Sequence, residues 1–129
     1  MAGTIEIVSG NQRVVARLLE REAPNVARKF AEAMPCESFS VHAKFAGDEL
    51  IVMVPFFCEP ENEIFAVEPG DIGYYPGRQT ICIFYGDTEP FGHVSVFAKV
   101  TEGLDVLKTW GRDILEVGSI GVVMQETTA

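Results

Sequence analysis

The chain is sparing in the residues that hold metals, disulfides and phosphates. Its 129 residues include three cysteines and two histidines. Cys36, Cys58 and Cys82 are odd in number, widely spaced and form no CxxC pair, which argues against a zinc ribbon or a dithiol redox site. Cys82 lies within an apolar strand and reads as a small buried hydrophobe, and reduced thiols are expected. His42 and His93 have no cysteine or carboxylate at ligand spacing, so no metal and no other cofactor is implied. Gly70, Gly73 and Gly77 precede no helix, which excludes a phosphate-cradling glycine loop. Long apolar runs are lacking too. The longest, Leu50 to Phe57, is broken by Pro55 and falls far short of a membrane span. The N-terminal stretch has no basic segment followed by an apolar one, so no signal peptide is expected. A soluble cytoplasmic protein without a membrane partner is the expectation.

Positive charge is the other scarcity. Ten Lys and Arg face 19 Asp and Glu, giving a net charge of −9. Arg13, Arg17, Arg21, Arg28 and Lys29 interleave with Glu20 and Glu22 and build no basic patch, so nucleic acid is not an expected partner. The acidity of itself favours solubility. No repeat, low-complexity tract or linker divides the chain, and a single domain over residues 1–129 is expected. A hydrophobic content of 47% and a mean hydropathy of +0.16 exclude a disordered chain.

Thr4 to Ser9 and Gln12 to Leu19 read as an opening hairpin turned by Gly10-Asn11. Pro24 suits a first helical turn, Val26, Ala27, Phe30, Ala31 and Met34 recur at helical spacing, and Pro35 ends the run. Ser38 to Phe45 and Glu49 to Val54 suggest a second hairpin, followed by an irregular, proline-containing loop from Pro55 to Pro69. Ile72 to Tyr75 and Thr80 to Tyr85 flank a Pro76-Gly77 turn, the second strand apolar enough for burial on both faces. Val94, Val96, Ala98 and Val100 alternate onto one face of another strand. Glu102 to Trp110 fits a second helix with Thr101 as N-cap, and Ser119 to Gln125 a last strand. Strands in this order do not alternate as βαβα. They predict a mainly β fold, a closed antiparallel barrel of about eight strands with two short helices at its open ends, over an open α+β sheet.

Two segments are similar to cyclophilins. Val15 to Phe30, with its Glu22-Ala23-Pro24-Asn25 turn, resembles their second strand and first helix. His93-Val94-Ser95-Val96-Phe97-Ala98-Lys99-Val100-Thr101-Glu102-Gly103-Leu104 resembles their His-Val-Val-Phe-Gly-Lys-Val-x-Glu-Gly-Met strand and helix. Pro69-Gly70-Asp71-Ile72-Gly73-Tyr74-Tyr75-Pro76 and Ile81-Cys82-Ile83-Phe84-Tyr85-Gly86 look most like short prokaryotic cyclophilin-like proteins of uncharacterised function. The resemblance implies the cyclophilin-like barrel. It also implies an arginine on the strand after the first helix, in a Phe-His-Arg-x-Ile context, to polarise a prolyl nitrogen. Val41-His42-Ala43-Lys44-Phe45 stands there, with Ala43 in the arginine's place, and the Phe-Met-x-Gln-Gly-Gly stretch is replaced by Asp48 to Met53. Strand alternation points Lys44 to the opposite face from position 43, and a lysine lacks the planar fork of a guanidinium. Efficient prolyl isomerisation is therefore not expected.

The candidate ligand-binding residues are Tyr74, Tyr75, Arg78, Phe84, Tyr85, Phe91 and His93, with Met53, Phe56 and Phe57 nearby. Aromatics with a few polar tips suit a small molecule or a peptide, although Phe84, Tyr85 and Met53 are equally suited to a barrel core. Arg78 is the one cation between Lys44 and Lys99, and beside two tyrosines it is a candidate clamp for a carboxylate, or else a solvated loop arginine. The expectation rests on Tyr74, Tyr75 and Arg78 surrounding one recess. It favours a binding module for a small polar or acidic metabolite or a peptide. The alternatives are a prolyl isomerase with rearranged catalytic groups, and a hydrolase or isomerase using His93 as the candidate catalytic base with Asp87 or Glu89. Phe56, Phe57, Ile64 and Phe65 flank an acidic loop and form either an interface between copies of the chain or a lid on the barrel.

Overall fold

Thr4–Ser9 (β1) and Gln12–Leu18 (β2) pair with Ser9 opposite Gln12, which leaves Gly10 and Asn11 as a two-residue turn. Gly10 adopts φ +61°, the left-handed conformation such a turn demands. In the computed structural model, which describes residues 3–43, 46–89 and 92–127, this hairpin is followed by helix α1 (Pro24–Glu32). Proline opens α1 where its missing N–H is harmless, and Glu61 from a distant loop caps it by accepting from the Val26 N–H at 2.6 Å. Val26, Ala27, Phe30 and Ala31 form its buried stripe, and burial of Phe30 alone is worth about 1.5–3 kcal/mol.

The remaining elements are β3 (Cys36–His42), β4 (Gly47–Met53), β5 (Glu63–Ile64), β6 (Asp71–Tyr75), β7 (Thr80–Thr88), β8 (Val94–Glu102), α2 (Leu104–Val117) and β9 (Ile120–Glu126). The strands run β2-β1-β9-β3-β4-β7-β6-β8, and β8 pairs back onto β2 to close an antiparallel barrel of eight strands. The two-residue β5 sits on the β8 edge. Closure leaves no long strand edge open, as the strand order predicts.

The main differences from the sequence reading lie in α2 and β8. Helix α2 does not begin at Thr101: β8 continues through Glu102, Thr101 donates to the Val15 carbonyl, and Gly103 is the N-cap at φ +103°. The helix also runs past Trp110 to Val117, adding Ile114 to the buried stripe of Leu107, Trp110 and Gly111. On β8 the even alternation breaks, because the register slips by one residue where Ile72 pairs with Ala98 and Gly73 with Val96. This bulge at Phe97 leaves Val94 and Val96 on one side of the wall and Phe97 and Ala98 on the other.

The wall therefore has two apolar faces. Leu50, Val52, Ile72, Tyr74, Ile81, Ile83 and Tyr85 point into the barrel core. Cys82 and Phe84, between them in sequence, join Val94 and Val96 on the opposite side. Thr80 to Tyr85 is buried throughout because both faces are covered.

Candidate functional site

On the outward side of the wall, cross-strand pairs bring Glu49 beside Phe84, Ile51 beside Cys82 and Met53 beside Thr80. Gly73 continues the Ile51–Cys82 row and Tyr75 the Thr80 row. A recess of about 610 Å³ opens over this face. Its floor is Glu49, Ile51, Thr80, Cys82 and Tyr75, and its sides are Val41, His42 and Ala43 from the end of β3 and Val94 with Gly92 from the start of β8. Ile114, Leu115 and Gly118 at the end of α2 complete it, and Arg78 reaches it from the turn between β6 and β7.

The sequence-derived candidates divide between the two faces. Tyr75 and Arg78 line the recess. Tyr74 does not, which corrects the expectation of two tyrosines and a guanidinium around one space. Adjacent strand residues point to opposite faces, so Tyr74 is 0% exposed in the core. There its hydroxyl donates to the Phe56 carbonyl at 2.9 Å and accepts from the Cys58 N–H at 3.2 Å, with the Phe56 ring stacked on it. Phe84 is fully buried in the outward cluster, and Tyr85 is buried on the core side. Met53 and Phe57 are exposed and line no part of the recess. His93 is exposed, edge-on to Phe65 at 5.6 Å, and also stands outside the recess. Phe91 lies outside the described residues, as does Lys44.

Two residues that the sequence reading did not assign to the site belong to it. Glu49 is only 5% exposed, and its Oε1 has no hydrogen-bond partner among the described residues. Burial raises its carboxyl above the ordinary range, and the neighbouring Cys82 thiol and His42 imidazole pull partly the other way. The Cys82 thiol is itself pushed well up, by burial first and by Glu49 second, so it stays protonated and is no nucleophile. The second residue, His42, is held by two 2.7 Å contacts, from Nδ1 to the Ala43 carbonyl and from Nε2 to the Tyr85 hydroxyl. A carbonyl only accepts, so Nδ1 carries the hydrogen, and in the neutral ring Tyr85 donates to Nε2. Both nitrogens are thus occupied, and His42 supplies shape and polarity rather than a free base. Tyr85 keeps its proton, its hydroxyl being pushed up by burial and then by Asp48.

What the arrangement can do chemically is narrow. It offers one guanidinium, one buried carboxyl, a thiol and hydroxyl that stay protonated, and apolar walls. Ala43 lines the recess at the position where the resemblance calls for the isomerase arginine, so no guanidinium extends from β3. No group of three or more His, Cys, Asp and Glu side chains among the described residues has the arrangement to hold a metal. No helix among them is long and apolar enough to cross a membrane.

Comparison with known proteins gives the same barrel. A family profile described as cyclophilin-like matches residues 3–117. No curated protein matches the chain. Among solved structures the chain is similar to McbB, determined in complex with tryptophan, with a TM-score of 0.86 and 19% identity; the match covers 97% of this chain and 45% of McbB, so the chain spans less than half of that protein. It is similar to a hypothetical protein from Archaeoglobus fulgidus, with a TM-score of 0.70 and 24% identity over 98% of this chain and 95% of that one. The Mimivirus cyclophilin aligns with a TM-score of 0.58 and 14% identity, covering 95% of this chain and 85% of its own. At these identities the likeness is one of fold.

Proposed function

The chain belongs to the cyclophilin-like family, and on that premise we propose that it binds a small amphipathic molecule with an acidic group in the recess over β4, β7 and β6. The observation that carries this reading is an arginine bordering a largely apolar hollow: Arg78, exposed on the β6–β7 turn, lines the recess together with Ile51, Tyr75 and Val94. The volume, about 610 Å³, falls within the roughly 300–1,000 Å³ usual for small-molecule sites. In a protein of net charge −9 the general field repels anions, so selection for an acid depends on the local, two-pronged geometry of the guanidinium. McbB, of similar fold, is known in complex with tryptophan, a small molecule that combines a carboxylate with an apolar body.

The test is calorimetric titration with 3-phenylpropionate. The wild type is expected to bind it, and Arg78→Ala to weaken binding by about tenfold or more, the worth of a hydrogen bond to a charged group. Equal affinity in both proteins overturns the reading.

A second reading has one observation in its favour. Arg78 brings a guanidinium to the hollow that Ala43 borders, so a prolyl nitrogen bound there meets a cationic donor from the β6–β7 turn instead of from β3. That enzyme accelerates X–Pro isomerisation in a model peptide at micromolar protein and loses the effect in Arg78→Ala. A rate no higher than background eliminates it. Catalysis by His93 gains no support, because His93 does not line the recess.

A further inference from the structure

Among the described residues the Cys82 thiol is the one side-chain hydrogen-bonding neighbour of the Glu49 carboxyl, a weak donor that does not account for burying an acid. Glu49 caps no helix, and among the described residues it forms no ion pair. Its Oε1 lacks a partner although the residue is 5% exposed. Leaving a buried acceptor unsatisfied costs about 1–3 kcal/mol, more when it is charged, and natural interiors hold few such groups. The residue lines the recess, although Oε1 itself is sealed from solvent in the empty protein, so a visiting molecule engages it only once the side chain turns toward the hollow.

We infer that Glu49 is the second polar anchor of the recess and receives the ammonium group of the ligand. This deepens, and rests on, the assignment of Arg78 to the ligand's acid. Together the two anchors specify a zwitterion with an apolar body, which is the chemistry of a free apolar amino acid or of a short peptide with open termini. The placement of the anchors fits. Glu49 pairs with Phe84, whereas Arg78 follows Tyr75 and precedes Thr80 at the other end of β7. Phe84 and Thr80 are four steps apart, about 13 Å at the usual rise of a strand, and the Arg78 and Glu49 side chains both border the recess between them. Arg78 and Glu49 both act on the Cys82 thiol that lies between them, yet they form no salt bridge with each other among the described residues. A cation and an anion in one hollow, neither in a salt bridge among the described residues, are complementary to a molecule that carries both charges.

The charged and titratable neighbours leave this role open. His42 from β3 has both ring nitrogens engaged, by the Ala43 carbonyl and the Tyr85 hydroxyl. Cys82 from β7 holds its proton, and Ile114, Leu115 and Gly118 of the α2 end bring no charge. Arg78 is the one Lys or Arg among the described recess residues, and it forms no salt bridge with Glu49 among them, so an arriving ammonium meets the carboxyl unpaired.

The experiment compares phenylalanine, the dipeptide phenylalanylalanine and 3-phenylpropionate, titrated into wild type, Glu49→Gln and Glu49→Met by calorimetry. Glu49→Gln keeps the shape and removes the charge. Glu49→Met guards against misfolding, since it places an apolar chain of similar size in an apolar surround. At least one of the two zwitterions is expected to bind the wild type about tenfold or more tightly than 3-phenylpropionate. Both variants should abolish that advantage while 3-phenylpropionate still binds. Preference for phenylalanine identifies the free amino acid as the source of this chemistry, and preference for the dipeptide a peptide. If 3-phenylpropionate binds through Arg78 but the ammonium adds nothing, or its advantage persists in both variants, the Glu49 assignment falls and the Arg78 reading stands. If none of the three binds, both fall.

Discussion

A carboxyl kept for a ligand should weaken the empty protein, and Glu49→Met measures by how much. The substitution removes an oxygen that has no partner in a buried position and supplies a flexible apolar chain beside Ile51 and Cys82. The relief of the unsatisfied acceptor is worth about 1–3 kcal/mol. For a chain of this size that corresponds to roughly 3–6 °C in Tm per kcal/mol. The gain should also depend on pH, with a definite sign. Burial raises the Glu49 carboxyl above its ordinary 4.5, so the folded state holds this proton more tightly than the unfolded chain does. The contribution of Glu49 to stability is therefore fullest below about pH 4.5, is lost as pH rises from there through the folded value, and stays lost above it. Each tenfold difference in proton affinity between the two states amounts to about 1.4 kcal/mol. Glu49→Met lacks this proton, and its advantage over wild type should widen from about pH 4 to about pH 8. Urea unfolding of both proteins across that range gives the difference directly. A variant less stable than wild type, or a difference that does not change with pH, refutes the claim that the carboxyl is buried at a cost.

Two further substitutions test the packing around the site. Gly111→Ala places a methyl group on the Tyr85 hydroxyl, which is packed tightly and hydrogen-bonded to His42; thermal unfolding should show a loss of about 1–3 kcal/mol, and an unchanged Tm would show that α2 is not seated on Tyr85. Tyr74→Phe removes the donor to Phe56 and the acceptor for Cys58, so denaturant unfolding should register a loss of about 1–3 kcal/mol. Affinity for 3-phenylpropionate should stay the same in that variant, because Tyr74 lies on the core face, and a tenfold loss would return Tyr74 to the site.

The barrel was readable because its strands announce themselves by alternation and its turns by glycine and proline. Thr80 to Tyr85, a nearly continuous apolar run, suits a strand buried on both faces or one lining a barrel wall, and it is buried throughout. The same alternation bears on the site. Tyr74 and Tyr75 are neighbours on one strand and cannot share a face. A wall covered on its outer side also requires that the outward residues of the adjoining strand be covered, and this sinks Glu49 opposite Phe84. Glu49 reads in sequence as one more acid in Asp48-Glu49, and its burial becomes visible only once register is known. The bulge at Phe97 left no trace in the sequence, since Val94 to Val100 alternates evenly on paper. Helix α2 runs on past Trp110 through Gly111, where the absence of a side chain admits the Tyr85 hydroxyl, and Leu107, Trp110 and Ile114 carry the helical period. Arg78 was legible as an isolated cation in a long stretch without others, although not the direction it faces.

The most direct measurement is a titration of isotope-labelled protein with 3-phenylpropionate, followed by the chemical shifts of backbone amides and arginine side chains. Binding in the outward recess predicts that Glu49, Ile51, Tyr75, Cys82 and the Arg78 guanidinium shift together along one saturable curve, while Tyr74 and the Phe65–His93 pair stay in place. Shifts centred on Phe65 and His93, or a titration that leaves the Arg78 guanidinium unmoved, would contradict it.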